Sequence, residues 1–233
     1  MLHTVDSTTE NPYYSNGILF VQGVELGVIA DLSARMADGI ALQECLEMGG
    51  FSLRQATAGQ NVPDRLWRTL VAGIGSNGRP ATTITRLAFV NLANKISEHR
   101  SIDPGELLTA KLDVYIHQFV ARLEEVVWNR RIFKGTPWNR SGTTLSQNDE
   151  LFRLAPQQAR MGDKICLLYG CSVPVVLREC QGGVSRLCWL DQKTRSFYEI
   201  IGEAYVDGFM NGEAFEGEYG QNIEAQAREF ALL

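Results

Sequence analysis

The side chains able to do chemistry in this 233-residue chain are few, and their spacing rules out most reactions. Gly73-Ile74-Gly75-Ser76-Asn77-Gly78 spells G-x-G-x-x-G. That pattern cradles a dinucleotide when a strand precedes it and a helix packs after it. Here the helix-like run Trp67–Ala72 precedes it, so an ordinary loop is expected, and no G-K-[ST] follows to make a P-loop. The cysteines at 45, 166, 171, 180 and 188 contain no C-x-x-C pair, and His3, His99 and His117 lie far from most of them. Neither a metal site nor a cofactor is expected. There is no G-x-S-x-G for nucleophilic catalysis. His117 falls among Tyr115, Ile116, Phe119 and Val120 on a predicted helix, the setting of a core or boundary histidine more than of a base. Glu199, Glu203 and Asp207 recur every four residues. That puts them on one face of a strand, but a turn signalled near Gly202 separates them, so paired-carboxylate hydrolysis is disfavoured.

What remains is a group of aromatic and hydrogen-bonding residues in or near the second half: Trp128, Arg131, Trp138, Tyr169, Arg178, Tyr198 and Tyr205. Tyr and Trp fill cores while their polar ends find partners. The same residues could line an apolar pocket with a few donors for an organic ligand.

The elements that must position them fall into two halves. Residues 1–16 read as a loose tail. Ile18–Val24 is a short strand candidate. Glu25–Met48 then shows helical spacing through Leu26, Ile29, Leu32, Ala37, Ile40 and Leu46, stopped by Gly49-Gly50. Further helices are predicted from Pro63-Asp64, over Thr85–Glu98, and from Asp103-Pro104 through to Val127. Gly73–Pro80 is a glycine-rich loop. After residue 129 the pattern changes. Asn129–Phe133 is strand-like, Thr136–Gln158 is loop-rich, and Met161–Met210 holds apolar runs rich in Val, Ile, Leu, Cys and Tyr separated by turn residues. Phe215–Phe230 is acidic and reads as a closing helix. The expectation is one α+β domain over 17–233. Residues 17–128 would form a helical layer packed on a C-terminal antiparallel sheet or small β-barrel at 129–214, with a final helix over 215–233.

Composition agrees with a globule of this size. Hydrophobic residues make up 45% of the chain and charged ones 21%, which is ordinary for a folded domain. A net charge of −5 argues against a nucleic-acid partner, which needs a basic face. The basic spot at Arg130-Arg131, Lys134 and Arg140 reads as solvated or paired charge. Unpaired cysteines and the absence of a secretion signal in Met1–Gly17 point to the cytoplasm. The longest apolar run, Ile165–Leu177, holds Pro174 and is too short to span a bilayer.

Several stretches, in order, resemble the C-terminal region of fungal heterokaryon-incompatibility (HET-domain) proteins. Leu19–Val24 is similar to their opening strand L-x-V-x-G-ϕ. Trp67–Ala72 is similar to W-R-T-L-ϕ-A, and Arg130–Phe133 to R-R-x-F. Gly162-Asp163 with Gly170, Pro174, Leu177 and Arg178 fits G-D-x-ϕ-x-ϕ-ϕ-x-G-x-x-x-P-ϕ-ϕ-L-R. Ile201–Glu213 fits ϕ-G-E-x-Y-V-x-G-ϕ-M-x-G-E. The glycine-rich approach to the sheet is altered here to Asp149–Leu154. The family's N-terminal HET domain has no counterpart in this sequence, so the death-signalling role that domain carries does not transfer. As a physical matter the motifs read first as fold punctuation: Gly162-Asp163 as a turn, Gly170 and Gly208 as bulges or close approaches, Pro174 as an edge or bulge, and Arg178 as a partner for Glu203 or Glu213.

The resemblance, which extends loosely to stand-alone HET-like Diels–Alder cyclases of sordarin-type diterpene pathways, implies a cofactor-independent enzyme. It would perform an intramolecular cycloaddition by holding a small apolar terpenoid substrate in a dry pocket. Arg178 and Tyr205 would act as donors to developing oxygen charge. Trp128, Arg131, Trp138, Tyr169, Tyr198 and His117 would line the pocket. The competing class is a non-catalytic interaction or regulatory module, for which self-association would be a natural property.

Overall fold

The computed structural model describes residues 11–52, 62–96, 101–137, 151–180, 196–210 and 226–233. In chain order the elements are β1 (Tyr13–Ser15), β2 (Ile18–Leu32), β3 (Ala41–Leu42), α1 (Gln43–Met48), α2 (Asp64–Leu70), α3 (Thr83–Lys95), β4 (Ser101–Ile102), α4 (Pro104–Leu107) and α5 (Val114–Val127). They continue with β5 (Arg131–Pro137), β6 (Leu151–Ala155), β7 (Lys164–Leu168), β8 (Val175–Glu179), β9 (Phe197–Glu203) and β10 (Arg228–Leu232). Eight of the strands make one mixed sheet, in the order β10-β9-β8-β7-β2-β5-β6 with β1 on β2. This replaces the expected helical N-terminal layer on a C-terminal antiparallel sheet. Strand exceeds helix, 35% to 28%, and the longest strand lies in the N-terminal half.

The 15-residue β2 is the largest departure from the sequence pattern, because a helix was expected from Glu25. Val24, Glu25, Leu26 and Gly27 are all buried, so both faces of the strand are covered. A segment buried on both faces loses the alternation that marks a strand, and chance three- and four-residue spacings then imitate a helix. Its partners decide the matter. One edge pairs with β1 (residues 18–20) and β7 (23–28), and the other with β10 (19–23) and β5 (27–32). Register shifts at Glu25/Gly27 and Ile29/Asp31 let the strand bend between these partners. Gly23 is required where β7 crosses: a Cβ there would stand 2.7 Å from the Leu167 carbonyl oxygen.

β10 pairs with β2 on one side and, in parallel, with β9 on the other, so β2, β7, β8, β9 and β10 close into a ring. Each contributes to one buried cluster: Val21, Cys166, Leu168, Val175, Leu177, Tyr198, Phe230 and Leu232. The ring is therefore filled by side chains, as a five-stranded ring must be. β10 occupies the place of the expected closing helix. Its Arg-Glu-Phe-Ala-Leu run has no period-two pattern, since Phe230, Ala231 and Leu232 are consecutive and all buried, and it follows an acidic stretch. Residues 211–225 lie outside the described set. Tyr13–Ser15, expected in a loose tail, pairs with β2.

Among the described residues the helices share their core with the β5–β6 wing and with Tyr205 after β9. Ile132, Phe152 and Leu154 of that wing share a core with Leu66, Leu70, Phe89, Leu92, Phe119 and Leu123. The helix expected to run unbroken from Asp103 to Val127 divides in two. Asp103 caps α4 through Glu106 N, and Asp113 starts again as a second cap, accepting from Tyr115 N at 3.1 Å. An Asp side chain that bonds the backbone in this way favours a helix start over a helix interior. Among the described residues no helix is long and apolar enough to cross a membrane.

The motif Gly162-Asp163…Arg178 resolves into a clamp. Arg178 Nε and Nη2 donate to Asp163 Oδ1 and Oδ2 at 2.9 and 2.7 Å, and Nη2 also donates to the Gln158 carbonyl. Asp163 is buried and accepts a further bond from Arg160 N. Asp163, in place of the expected Glu203, takes the Arg178 fork; Glu213 lies outside the described residues. Gly162 (φ 89°), Gly170 (φ 91°) and Gly208 (φ 82°) make turns, not strand bulges. Pro174 is a buried residue just before β8 whose carbonyl accepts from Ala204 N.

Removing one partner of a buried, forked ion pair strands the other charge, at ~3 kcal/mol or more. Arg178→Ala should therefore lower the urea unfolding free energy by about that amount, with an unchanged m-value. A loss under ~1 kcal/mol would show that the clamp is not structural.

Candidate functional site

One cleft opens beside the sheet, between α5 and the segment that follows β9. It has a volume of about 240 Å³ and is half open to solvent. Its wall carries Val126, Leu154, Ala204, Tyr205 and Met210, with Arg122, Glu125, Arg130 and Glu203 adding charge. α5 supplies its share because Leu123, Val126 and Val127 face the core while Arg122 and Glu125 sit a turn apart at the edge. The opposite wall is held to β6 by a two-way backbone bridge: Tyr205 N donates to Leu154 O and Leu154 N to Tyr205 O. Val206 N donates to the Met210 sulfur, which folds the chain back at Gly208.

Tyr205 is buried, at 4% exposure, and its hydroxyl donates to Asp207 Oδ1 at 3.0 Å. Burial pushes the phenol well above its ordinary range, and the Asp207 carboxylate and its hydrogen bond push the same way. The hydroxyl proton is thus already committed to Asp207. Gly73 closes over this pair, since a Cβ at that position (φ 68°) would stand 2.8 Å from the Tyr205 oxygen.

The other residues singled out from the sequence do not gather here. Arg178 is spent on Asp163, which keeps its guanidinium protonated even more firmly than usual. Arg131 Nε donates to the Ser33 carbonyl at 2.8 Å and so ties β5 to the end of β2. Tyr198 lies inside the ring, edge-on to Phe230. Tyr169 packs against a buried cluster on the other face of the sheet that includes Val24, Ile165, Leu167 and Val176, with its amide on Gln22 O. Trp128 ends α5 and is 48% exposed. His117 is exposed on α5, not at the core. Trp138 lies outside the described residues. Of the expected donors and lining groups among the described residues, only Tyr205 faces the cleft.

Glu199 and Glu203 are exposed, while Asp207 serves Tyr205, so the four-residue rhythm builds no shared acid–base site. The Gly73–Gly78 loop follows α2, and its polar groups are taken up within the protein: Gly75 N on Arg79 O, Gly78 N on Gly75 O, Arg79 N on Asn77 Oδ1, and Ser76 Oγ on Gln118 Oε1 of α5. The pit beside it, about 40 Å³, is too small for a nucleotide. Burial raises the thiol pKa values of Cys45 and Cys166, which makes both poor nucleophiles. Among the described residues no group of three metal-ligating side chains occurs.

Sequence reasoning missed Arg122, Glu125 and Met210 as neighbours of Tyr205. Arg122 Nε donates to Ile74 O and its Nη1 to Glu125, and Arg130 Nη1 reaches Glu203 O at 3.5 Å. α5 gives no signal for them, since its apolar stripe runs unbroken through Ile116, Phe119, Val120, Leu123, Val126 and Val127, and Arg122 and Glu125 lie outside it. The β6–Tyr205 bridge that brings this edge to Met210 has no local signature.

No family model matches the chain, and no curated protein and no solved structure resembles it significantly.

Tyr205 titration should follow from its surroundings. A group whose folded-state pKa is raised contributes stability in full below its unfolded value near 10 and loses it as pH rises beyond that. Tyr205→Phe should cost ~1 kcal/mol at neutral pH through the lost hydrogen bond. It should also flatten the fall in stability above about pH 10. Chemical denaturation of both proteins across this range checks it; parallel alkaline slopes would contradict the assigned environment.

Proposed function

We propose that the chain is a binding module for a small organic molecule with an apolar body and a polar end, seated in the cleft between α5 and Glu203–Met210. The observation that carries this reading is the juxtaposition of Val126, Leu154, Ala204 and Met210 with the guanidinium groups of Arg122 and Arg130 in that cleft. Drug-sized ligands occupy pockets of roughly 300–1,000 Å³. A cleft of about 240 Å³ suits a smaller molecule, or one end of a larger one.

The reading stands nearer to an interaction or regulatory module than to a Diels–Alder cyclase. Catalysis by preorganisation draws on a closed, water-free setting in which donors act at full strength. The ring is filled by its own side chains. The cleft is open to solvent, and its one phenol donates to Asp207. The resemblance to HET-domain C-terminal regions supports recognition equally well, because its matched residues Gly162, Asp163, Arg178 and Tyr205 act in holding the fold.

The test is titration with an amphipathic organic anion, 1-anilinonaphthalene-8-sulfonate, followed by fluorescence. Saturable one-to-one binding is expected. Val173→Trp, at a half-buried position on the cleft wall, should weaken it at least tenfold, and Arg130→Ala by roughly three- to tenfold, or about 1 kcal/mol. Binding indifferent to both changes would refute the site. Isomerisation of a conjugated diene aldehyde without change of mass would refute the non-catalytic half of the reading.

A further inference from the structure

β10 is held at one end by charge and along its length by alternate side chains. Glu25 is 7% exposed, and its Oε2 accepts from Arg228 Nη2 at 2.6 Å and from Lys164 Nζ at 3.2 Å. Its Oε1 is buried without a hydrogen-bond partner. Lys164 lies 3.9 Å from Glu179 Oε2 and over the ring of Tyr198. By the alternation of each strand, Glu25 shares the inward face with Val21, Lys164 with Cys166 and Leu168, and Arg228 with Phe230 and Leu232. One end of the ring is thus stoppered by charge, and one of the two positive arms of that stopper comes from β10.

The place that β10 fills is a slot with two polar edges. On the β2 side five residues pair, Arg228 opposite Gly23 through Leu232 opposite Leu19. On the β9 side the pairing is parallel and covers two residues, Ala231 with Phe197 and Leu232 with Tyr198. Parallel pairing is the weaker kind. Inside the slot, Arg228 meets Glu25, Phe230 packs edge-on to Tyr198 at 5.5 Å, and Leu232 joins the same cluster. Glu229, between them, alternates to the other face of the strand, where it accepts from the Tyr13 hydroxyl at 3.2 Å.

We propose that the β2–β9 slot is a strand-acceptor site reading Arg-x-Phe-x-Leu at alternate positions, filled by the chain's own β10 and able to take the same segment from a second copy. The chemistry is that of strand addition: backbone bonds supply affinity, and pockets for every second side chain supply selectivity. Glu25 sets the register, because a slip by one residue would bring Glu229 or Ala227 to its carboxylate in place of Arg228. A carboxylate with one oxygen already unpartnered tolerates no such exchange.

The test uses the full chain and a fluorescent peptide of residues 226–233, followed by anisotropy. A thiol reagent with mass mapping at Cys166, which is fully buried in the ring, reports when the slot opens. Peptide uptake is expected over the period in which Cys166 becomes labelled. Arg228→Ala or Phe230→Ala in the peptide should weaken uptake at least tenfold, and Glu229→Ala less than twofold. Because the changes are made in the peptide, the fold of the acceptor is untouched. Three results overturn the proposal: no labelling of Cys166, labelling without uptake at ~1 mM peptide, the weak end of specific recognition, or uptake insensitive to Arg228 and Phe230.

Discussion

A single strand serving four others is the constraint on which this structure rests. β2 gives the first part of its length to β1 and β10, its middle to β7, and its last part to β5. No straight, regular strand could do so. The two register shifts turn it between partners, and Gly23 lets β7 approach where a side chain would collide with the Leu167 carbonyl. Ring and wing share β2, while the helices share a core with the wing.

This arrangement explains which parts of the fold were legible in the sequence. α2, α3 and the strands of Met161–Met210 follow patterns that local residues impose: an apolar stripe, a Thr82 capping box, or short apolar runs closed by glycine turns. β2 and β10 escaped because tertiary pairing decides them. The first is buried on both faces, and the second is a five-residue run after an acidic stretch. Asp113, a cap hidden inside a helical rhythm, shows the same limit at a smaller scale.

The candidate site was legible only in part, and for a related reason. Tyr205 could be picked out by type, but its role depends on Leu154, Asp207 and Gly73, which come from three separate stretches of chain. Arg178 and Arg131 have the side chains of functional donors and spend them on the backbone and on Asp163. Arginine is as useful for fastening turns as for binding anions, because its planar fork satisfies several acceptors at once. Gly162, Asp163 and Arg178, which stand out in the sequence as a motif, are such fasteners.

The ring has a history as well as a geometry. Phe230 faces Val21 across 209 positions of sequence, so the seam that finishes it joins two of the most remote parts of the chain. Such a contact gains nothing until the intervening polypeptide is ordered, and distant pairings of this sort slow folding. While the chain emerges from the ribosome, β2, β7, β8 and β9 can assemble only into an unsealed trough with Cys166 and Leu177 bare. The nascent protein passes through a sticky stage that lasts until the sealing strand has been made, and it must be shielded by chaperones or fold quickly once synthesis has passed that point.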